Sequence, residues 1–243
     1  AAAEDAARAV PGVSNSDGAG AGWRQGEAFL ITSDGFAGGY KSSSFSVSVS
    51  VVAGSGTGME TDHASNRARH VGDLRAPKDI GAEAGDRAVR RLNPRKVDTG
   101  SLPVVFEPRV SNSILGHLAS AINGVSIARG TSFLRNELGK PVFAPGITIV
   151  DDPLRKRGLG SRPFDGEGVS CKRMALIDNG VLTTWLLSSA SARQLGLKTT
   201  GHAARGVAGA PSPSTSNLYM EAGTRTPDEL MADIKLEIGR AHV

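Results

Sequence analysis

The sequence predicts an α+β fold in which antiparallel-rich sheets pack against a few helices. Three patterns support this class. Apolar residues alternate with serines from Phe45 to Val51, which is the period of two typical of a strand with one buried face. Two apolar-rich runs flank Asp178-Asn179-Gly180, a turn sequence that favours a hairpin. Apolar residues recur every four positions in Pro77–Leu92, which indicates an amphipathic helix.

The N-terminal part of the chain is predicted to begin with a helix and to continue as a meander of short strands. Glu4–Val10 is rich in alanine and favours a helix. Ser16-Asp17-Gly18 and Ser33-Asp34-Gly35 are predicted to form tight turns, with a short strand at Ala28–Thr32 between them. The alternating strand then leads through a glycine-rich turn into Met59–Arg69, its predicted partner strand.

The middle of the chain is predicted to place a strand before a helix. Val104–Phe106 is a short apolar run of the kind found in buried strands. The helix that follows carries an apolar stripe, formed by Val110, Ile114, Leu118 and Ile122. Gly124 and a polar, basic segment come next, without a predicted element of their own.

The C-terminal part is predicted to alternate strands, helices and one long loop. The predicted strands are Ile147–Val150, Cys171–Ile177, Val181–Leu187 and Leu218–Glu221. The predicted helices are Ser188–Leu195, which Gly196 ends, and Thr226–Lys235, which has a proline at its first position. Thr199–Ser216, rich in glycine, proline and serine, is predicted to be a loop.

Four carboxylates lie around the basic segment Arg155–Arg162, namely Asp151, Asp152, Asp165 and Glu167. Carboxylates at such spacing can bind Ca²⁺ or Mg²⁺, although they lack the regular alternation of an EF-hand loop. The favoured interpretation is a loop that Asp–Arg pairs and Asx turns hold together.

Composition limits the function classes. The chain has 243 residues and a single cysteine, so it can form no internal disulfide, which fits a reducing cytoplasm. The absence of a long apolar run argues against a membrane span. The formal charge is only +4 and aromatic residues make up 5%, and this balance argues against direct binding of nucleic acid.

The segment GHLASAINGVSIARGTSFL, residues 116–134, resembles the TldD/PmbA family, once called modulators of DNA gyrase. In the catalytic TldD-type members this helix carries a zinc motif of the form HExxxH. Alignment places its first histidine at Gly116, its glutamate at His117 and its second histidine at Ala121. All three positions are replaced, and this is the pattern of the PmbA (TldE) type, the partner subunit without the zinc motif.

The resemblance runs from about Phe29 to about Ile234, because GITIVDDP, GLGSRPFDGEGV, LIDNGVL, SASARQLG and TTGHAAR follow in the family's order. It implies a fragment of a longer protein. Residues 1–12 are predicted to be the tail of a helix from an N-terminal domain, and residues 13–238 a truncated central and C-terminal domain. Residues 239–243 continue no family pattern and are interpreted as an artificial tail.

The resemblance implies a non-catalytic PmbA/TldE-like subunit of a cytoplasmic metallopeptidase that acts on unfolded peptides and peptide precursors. This chain is then expected to bind no cofactor, and zinc is expected in a homologous TldD-type partner. Peptide-cleft positions implied by the family are His202, Arg205, Asp165 and Glu167. Two alternatives remain open: a metallopeptidase active by itself through other ligands, and a binding module for gyrase or DNA.

Overall fold

The computed structural model describes residues 1–96, 98–101, 103–206 and 208–232. Contacts between Cα atoms divide the chain into two compact units. The first comprises Ala1–Ala28 and Lys41–Asp98, and the second comprises Phe29–Tyr40 and Thr99–Val243. Helices and antiparallel sheets are both present, which confirms the predicted α+β class. No helix among the described residues is long and apolar enough to cross a membrane.

The first unit contains helix α1 (Ala2–Arg8), strands β1 (Val13–Ile31), β2 (Ala37–Ala53) and β3 (Glu60–Ala68), and helix α2 (Pro77–Arg90). The strands form a sheet in the order β1-β2-β3, so that β2 lies in the middle. β2 pairs with β3 in antiparallel register, as predicted, because the glycine-rich segment between them reverses the chain. The ends of β1 and β2 next to their connecting turn, residues 29–40, belong to the second unit.

The core of the first unit is built from small side chains. Val49 and Val51 of β2 lie against Ile80, Ala84 and Ala88 of α2, and all of them are buried. The α2 stripe is therefore confirmed as the buried face of that helix. Burying a side chain such as that of Ile80 stabilises the fold by roughly 1.5–3 kcal/mol.

The predicted turn at Ser16-Asp17-Gly18 was wrong, because β1 runs through it without interruption. The Ser16 hydroxyl does accept a hydrogen bond from the Gly18 amide, at 3.1 Å, which is the local contact of a turn. Gly18 has a φ of 110°, and glycine adopts this backbone without a steric penalty. Because glycine permits this backbone, β1 stays extended through Ser16-Asp17-Gly18 and remains beside β2. The second turn, at Ser33–Gly35, is confirmed.

The second unit contains four helices among its described residues: α3 (Pro108–Ala121), α4 (Gly124–Ala128), α5 (Ser189–Gln194) and α6 (Pro227–Met231). Its strands are β4 (Ile149–Asp151), β5 (Met174–Asp178), β6 (Val181–Leu182), β7 (Ala203–Ala204), β8 (Ser212–Pro213) and β9 (Leu218–Met220). The main sheet has the order β6-β5-β4-β9 with antiparallel pairing, and β7 pairs with β8.

The core of the second unit joins α3 to the main sheet. Leu118 and Ile122 of the α3 stripe are buried in one cluster with Ile149 of β4 and Ile177 of β5. The β5–β6 hairpin is confirmed, because Asn179 and Gly180 have φ angles of 46° and 85°, but its second strand ends at Leu182 and not at Leu187 as predicted. These are the positive values that an Asn-Gly turn accepts.

The predicted buried strand at Val104–Phe106 was wrong. The three side chains are 56%, 37% and 40% exposed, and the segment belongs to no sheet. Pro103 and Pro108 flank it, and α3 begins at Pro108 as its first helical residue. An apolar run becomes a buried strand only where another strand pairs with it, and the described strands leave this run without a partner.

The other predicted helices are confirmed where the structure describes them, and one helix was missed. Ser188 caps α5, and Gly196 follows that helix with a φ of 68°. Thr226 caps α6, but residues 233–235 of the predicted helix lie outside the described residues, as do residues 239–243. The missed helix is α4, which begins where the Asn123 side chain accepts a hydrogen bond from the Val125 amide.

Candidate functional site

The three positions aligned with the zinc motif lie on the second half of α3. Gly116 and His117 are exposed, and Ala121 is half-buried. A Cβ atom added at Gly116 would meet no other atom within 4 Å, so that this part of the helix surface is open. The face around it carries small polar residues, Asn112, Ser113 and Ser120.

By helical phase the sequence predicts that His117 lies on the apolar stripe of α3 and is partly buried, and this prediction was wrong, because His117 is exposed. It precedes Leu118, the most deeply buried residue within α3, and one residue is a rotation of about 100° on a helix. That rotation places the imidazole on the open face beside Gly116. The sequence pattern suggested burial because Ile114 and Ala121 are helical neighbours of His117, but both are themselves only half-buried.

The residues of α3 do not fit a zinc ion. Zinc in proteins is bound by cysteine, histidine and carboxylate side chains, and a hydrolytic site needs three protein ligands and an open position. α3 contains a single histidine and no carboxylate or cysteine. Within the described residues no group of three or more histidine, cysteine, aspartate or glutamate side chains is arranged to hold a metal.

Asp165 and Glu167, two of the positions assigned to a peptide cleft, make internal hydrogen bonds. Asp165 Oδ1 accepts from the amides of Glu167 and Val169, at 2.9 and 3.0 Å, which is an Asx-type turn. Asp165 Oδ2 accepts from the Ala203 amide at 3.0 Å. Glu167 Oε2 accepts from the amide of Ser189, the first residue of α5, at 2.8 Å. Backbone amides therefore hold both carboxylates.

The same loop carries an aromatic contact with the turn that connects β1 to β2 and with the start of β2. The Phe164 ring lies edge-on to Phe36 and Tyr40, with ring centroids 4.8 and 5.4 Å away. A Cβ atom at Gly38 or Gly168 would lie within 3 Å of these rings. Glycine at both positions is thus required by close approach, and the segment that includes Asp165 and Glu167 is fixed on one side by aromatic packing.

His202 is buried and lies beside a second buried group, Asp151. The imidazole Nδ1 is 2.9 Å from Thr200 Oγ1, and Nε2 is 3.3 Å from Asp151 Oδ2. The two groups are close, but Nε2 forms no hydrogen bond with the carboxylate. Asp151 also accepts from the amide and the hydroxyl of Ser216, each at 2.7 Å.

Arg205 differs from the other three cleft positions because it is exposed. Its backbone is fixed: a Cβ atom at Gly166 would lie 2.9 Å from Arg205 Cβ, so the two segments touch there. Within the described part of the chain its guanidinium makes no hydrogen bond or ion pair. It is therefore the one cleft position whose charge faces solvent.

Burial raises the pKa of the Cys171 thiol above its ordinary value, and the nearby Arg162 opposes this shift. The thiol lies 3.4 Å from the Gly201 carbonyl oxygen and is almost fully buried. A cysteine in such surroundings stays protonated and is a poor nucleophile and a poor metal ligand.

The four carboxylates around Arg155–Arg162 do not converge on one cation site. Asp152 Oδ1 accepts from the Leu154 amide in an Asx turn, while Asp151, Asp165 and Glu167 have the separate partners described above. The favoured sequence interpretation is confirmed for the Asx turns. Ser216 and Thr200, which complete the surroundings of Asp151 and His202, were missed because serines and threonines that distant in sequence give no signal before folding.

These observations define an α+β protein whose helix α3 is open to solvent on a face that carries one histidine and no carboxylate or cysteine. Two family models match the chain. The one described as PmbA/TldA metallopeptidase central domain matches residues 1–92, and the one described as PmbA/TldA metallopeptidase C-terminal domain matches residues 99–238. The metalloprotease PmbA of Escherichia coli O157:H7 is 41% identical over 191 residues, which are 79% of this chain and 42% of that protein. The chain belongs to the PmbA/TldD family, and it spans less than half the length of this relative.

Solved structures have the same fold. A Bacteroides thetaiotaomicron protein described as a modulator of DNA gyrase has a TM-score of 0.81 at 28% identity, over 96% of this chain and 52% of that chain. TldE from Thermococcus kodakarensis has a TM-score of 0.73 at 19% identity, over 96% of this chain and 53% of that chain. At that identity the second likeness shows the fold alone.

Proposed function

We propose that this chain is part of a PmbA/TldE-type subunit without catalytic groups, which works with a homologous TldD-type subunit that carries zinc. The observation that supports this most is on α3. The helix is formed and the C-terminal half of its stripe, Leu118 and Ile122, is buried, yet Gly116, His117 and Ala121 align with the positions of the HExxxH motif. A scaffold kept intact around a lost metal site is expected when another chain needs the scaffold.

The chemistry of peptide hydrolysis supports the assignment to a non-catalytic role. A zinc peptidase needs protein ligands that leave one position open for water, and a carboxylate that takes the proton of that water. Gly116 and Ala121 have no donor atoms, and His117 replaces the carboxylate. α3 supplies neither the set of zinc ligands nor the carboxylate base. We therefore assign both to the partner subunit.

In this proposal the subunit contributes walls and backbone groups to a cleft for extended peptides, including precursors that the complex processes. Arg205 is the residue that we expect to contact the peptide, because its charge is exposed. Asp165, Glu167 and His202 are expected to hold the wall in place, because each has internal contacts. We place the complex in the cytoplasm, where a chain with one buried free cysteine fits the reducing conditions.

The decisive experiment mixes the full-length parent of this chain with a full-length TldD-type partner from the same cell. Peptidase activity on an unfolded peptide is expected only in the mixture. It should disappear when the glutamate of the partner's HExxxH motif becomes glutamine, and it should persist when this subunit carries His117→Ala. A co-purified complex should bury on the order of 2,000 Å² or more, as stable subunit interfaces do.

Other results would support other functions. Activity of the parent without a partner, together with zinc that is lost in His117→Ala, would assign a metallopeptidase active by itself. DNA binding whose affinity falls steeply with salt, without effect on peptidase activity, would assign a nucleic-acid module. Either result would overturn the subunit assignment.

A further inference from the structure

One surface loop of the second unit, residues 152–162, is closed at its base and fixed by its own hydrogen bonds. The Arg162 amide donates to the Pro153 carbonyl at 2.9 Å, which joins the two ends of the loop. The Asn217 side chain lies against it, where Oδ1 accepts from the Gly160 amide at 2.8 Å. Compact surface loops whose ends lie close together are frequently functional. We call residues 152–162 the basic loop.

The tip of the basic loop carries cations between two apolar side chains. Arg155, Lys156 and Arg157 are consecutive and exposed, and Leu154 and Leu159 are 57% and 45% exposed. Arg157 has a φ of 60°, a backbone conformation that is uncommon for a residue with a side chain. Strain of this kind persists where the surrounding structure enforces it, and it is concentrated at binding and active sites. The loop therefore presents these side chains from a backbone held in an unfavourable conformation.

The carboxylates of the same part of the chain do not reach the surface beside these cations. Asp151 and Asp165 are buried, Asp152 and Glu167 are half-buried, and all four accept hydrogen bonds from backbone amides. The sequence here contains both signs of charge, but folding turns the negative groups inward and leaves the positive groups in water. The surface that a partner can touch at the basic loop is therefore positive.

The cations around the tip differ in how much of their charge is already balanced. The Arg155 guanidinium lies over the Tyr219 ring, 4.9 Å from its centroid, in a cation–π contact that orients it. Arg173 donates to the Glu221 carboxylate at 2.7 Å, so its charge is paired. Lys156 makes no hydrogen bond or ion pair within the part of the chain that the structure describes, so its ammonium group is open to an external carboxylate.

We propose that the basic loop is a docking surface for an acidic, extended peptide segment that also carries apolar side chains. Carboxylates of the segment pair with Arg155 and Lys156, and its apolar side chains cover Leu154 and Leu159. Since the loop is already ordered, binding costs little conformational entropy. Anionic membranes attract clusters of about four to eight basic residues, whereas this tip has only the three at positions 155–157. The inference concerns a surface of this chain and does not depend on the proposed function.

Fluorescence anisotropy of a labelled peptide, titrated with the full-length parent of this chain, tests the proposal. The probe is a short unstructured peptide that is rich in glutamate and contains a pair of leucines. The control peptide has glutamine in place of every glutamate. We expect the acidic probe to bind at least about 10-fold more tightly than the control peptide, because only the probe offers carboxylates to the loop. Its affinity should fall as salt is added, since exposed charges are screened.

Two substitutions in the basic loop and one outside it locate the binding. Lys156→Glu should weaken binding of the acidic probe by about 5- to 20-fold, because it replaces attraction by repulsion. Leu154→Ser should weaken it by about 3- to 10-fold, because it removes apolar surface that the peptide covers. Lys198→Glu makes the same change of charge at an exposed lysine outside the loop, and it should change the affinity by less than about 2-fold at physiological salt. Thermal unfolding should be alike for all three variants, because each changes an exposed side chain.

Several results would overturn the proposal. Equal binding of the acidic probe and the glutamine peptide would show that the loop does not recognise carboxylates. Equal weakening by Lys156→Glu and Lys198→Glu would show that only the net charge of the chain matters. Capture of the protein by phosphatidylserine vesicles that is lost in Lys156→Glu, without binding of the probe, would assign the loop to a membrane surface. Each of these results leaves the assignment of zinc to a partner subunit unchanged.

Discussion

His117 and Leu118 are neighbours on α3 with opposite surroundings. The imidazole is exposed on the open face, whereas the Leu118 side chain is buried against the main sheet. Residue type alone does not separate them, since histidine is often half-buried in proteins. Their position around the helix axis decides which side chain contributes to stability.

We expect His117→Ala to change the free energy of unfolding by no more than about 0.5 kcal/mol, because a surface substitution loses few contacts. Leu118→Ala should lower it by about 2–5 kcal/mol, because it leaves a cavity in the core. Urea unfolding of the two variants side by side measures the difference. A large loss in His117→Ala would mean that the imidazole has a structural role on the open face.

We expect Cys171 to react slowly with alkylating reagents in the folded chain. Burial raises the pKa of its thiol, so at pH 8 the folded protein has less of the reactive thiolate than the unfolded chain does. The rate of alkylation should rise by at least about 10-fold on unfolding in urea, as mass spectrometry would record. Equal rates in the folded and unfolded chain would contradict the burial.

The raised pKa of the Cys171 thiol also makes the stability of the fold depend on pH. Because the thiol ionises at lower pH in the unfolded chain than in the folded one, its contribution to stability is present below the ordinary cysteine pKa. It is lost as the pH rises through the folded pKa. Cys171→Ser should reduce this alkaline loss of stability, since a serine hydroxyl does not titrate in that range.

Glycine has two different roles in α3 and α4, the two helices that meet at a corner near Gly124. Gly116 on α3 has open space around it. At Gly124, the first residue of α4, a Cβ atom would lie 2.7 Å from the Leu186 carbonyl oxygen and 2.6 Å from Leu187 Cδ2. The Gly124 amide also donates to that carbonyl, at 2.8 Å. The corner is therefore held by a backbone approach that only glycine permits.

We expect Gly116→Ala to stabilise the chain by roughly 0.5–1 kcal/mol, because alanine loses less conformational entropy than glycine in a helix. Gly124→Ala should destabilise it by roughly 1–3 kcal/mol, because the backbone must move to admit the methyl group. Thermal unfolding of both variants provides the comparison. A stabilising Gly124→Ala would show that the α4 corner is not tightly packed.

At the scale of the whole molecule, the described strands leave long sheet edges open. β1 is an edge strand of 19 residues, and most of its side chains are exposed on both faces. Trp23 on this strand is 73% exposed. Unpaired amides and carbonyls along such an edge are a template for pairing with another chain.

We therefore expect the chain by itself to associate as its concentration rises, which sedimentation velocity would detect. Ala21→Lys, which puts a charge on the β1 edge, should shift the distribution toward the monomer. Phe133→Ser is the matched control, because Phe133 is an exposed aromatic residue outside any strand. A chain that stays monomeric at high concentration would show that the exposed edge of β1 does not cause association.

We expect the triple substitution Gly116→His, His117→Glu and Ala121→His to create no peptidase, because the further ligand and the groups that orient the ligands would still be missing. Cleavage of an unfolded peptide, measured with and without a zinc chelator, provides the test. Zinc-dependent cleavage by this variant would show that the scaffold keeps a complete set of supporting groups.

The sequence by itself determined the α+β class, the hairpin at Asn179-Gly180, and the helices whose apolar stripes bury Ile80, Ala84 and Ala88 of α2 and Leu118 of α3. Each depends on neighbours within a few residues: a period of 3.6 or 2, or a turn dipeptide. Patterns of this kind involve residues close together in the sequence, so they can be recognised without knowledge of the tertiary structure.

Only the tertiary structure decided the rest. It made β1 one long strand past Ser16-Asp17-Gly18, left Val104–Phe106 unpaired, and turned His117 to the open face. It also brought Asp151 to Ser216, a residue 65 positions away. Strand pairing, helix rotation and the burial of a carboxylate depend on contacts between distant segments, and the free energy of those contacts has no counterpart in local sequence.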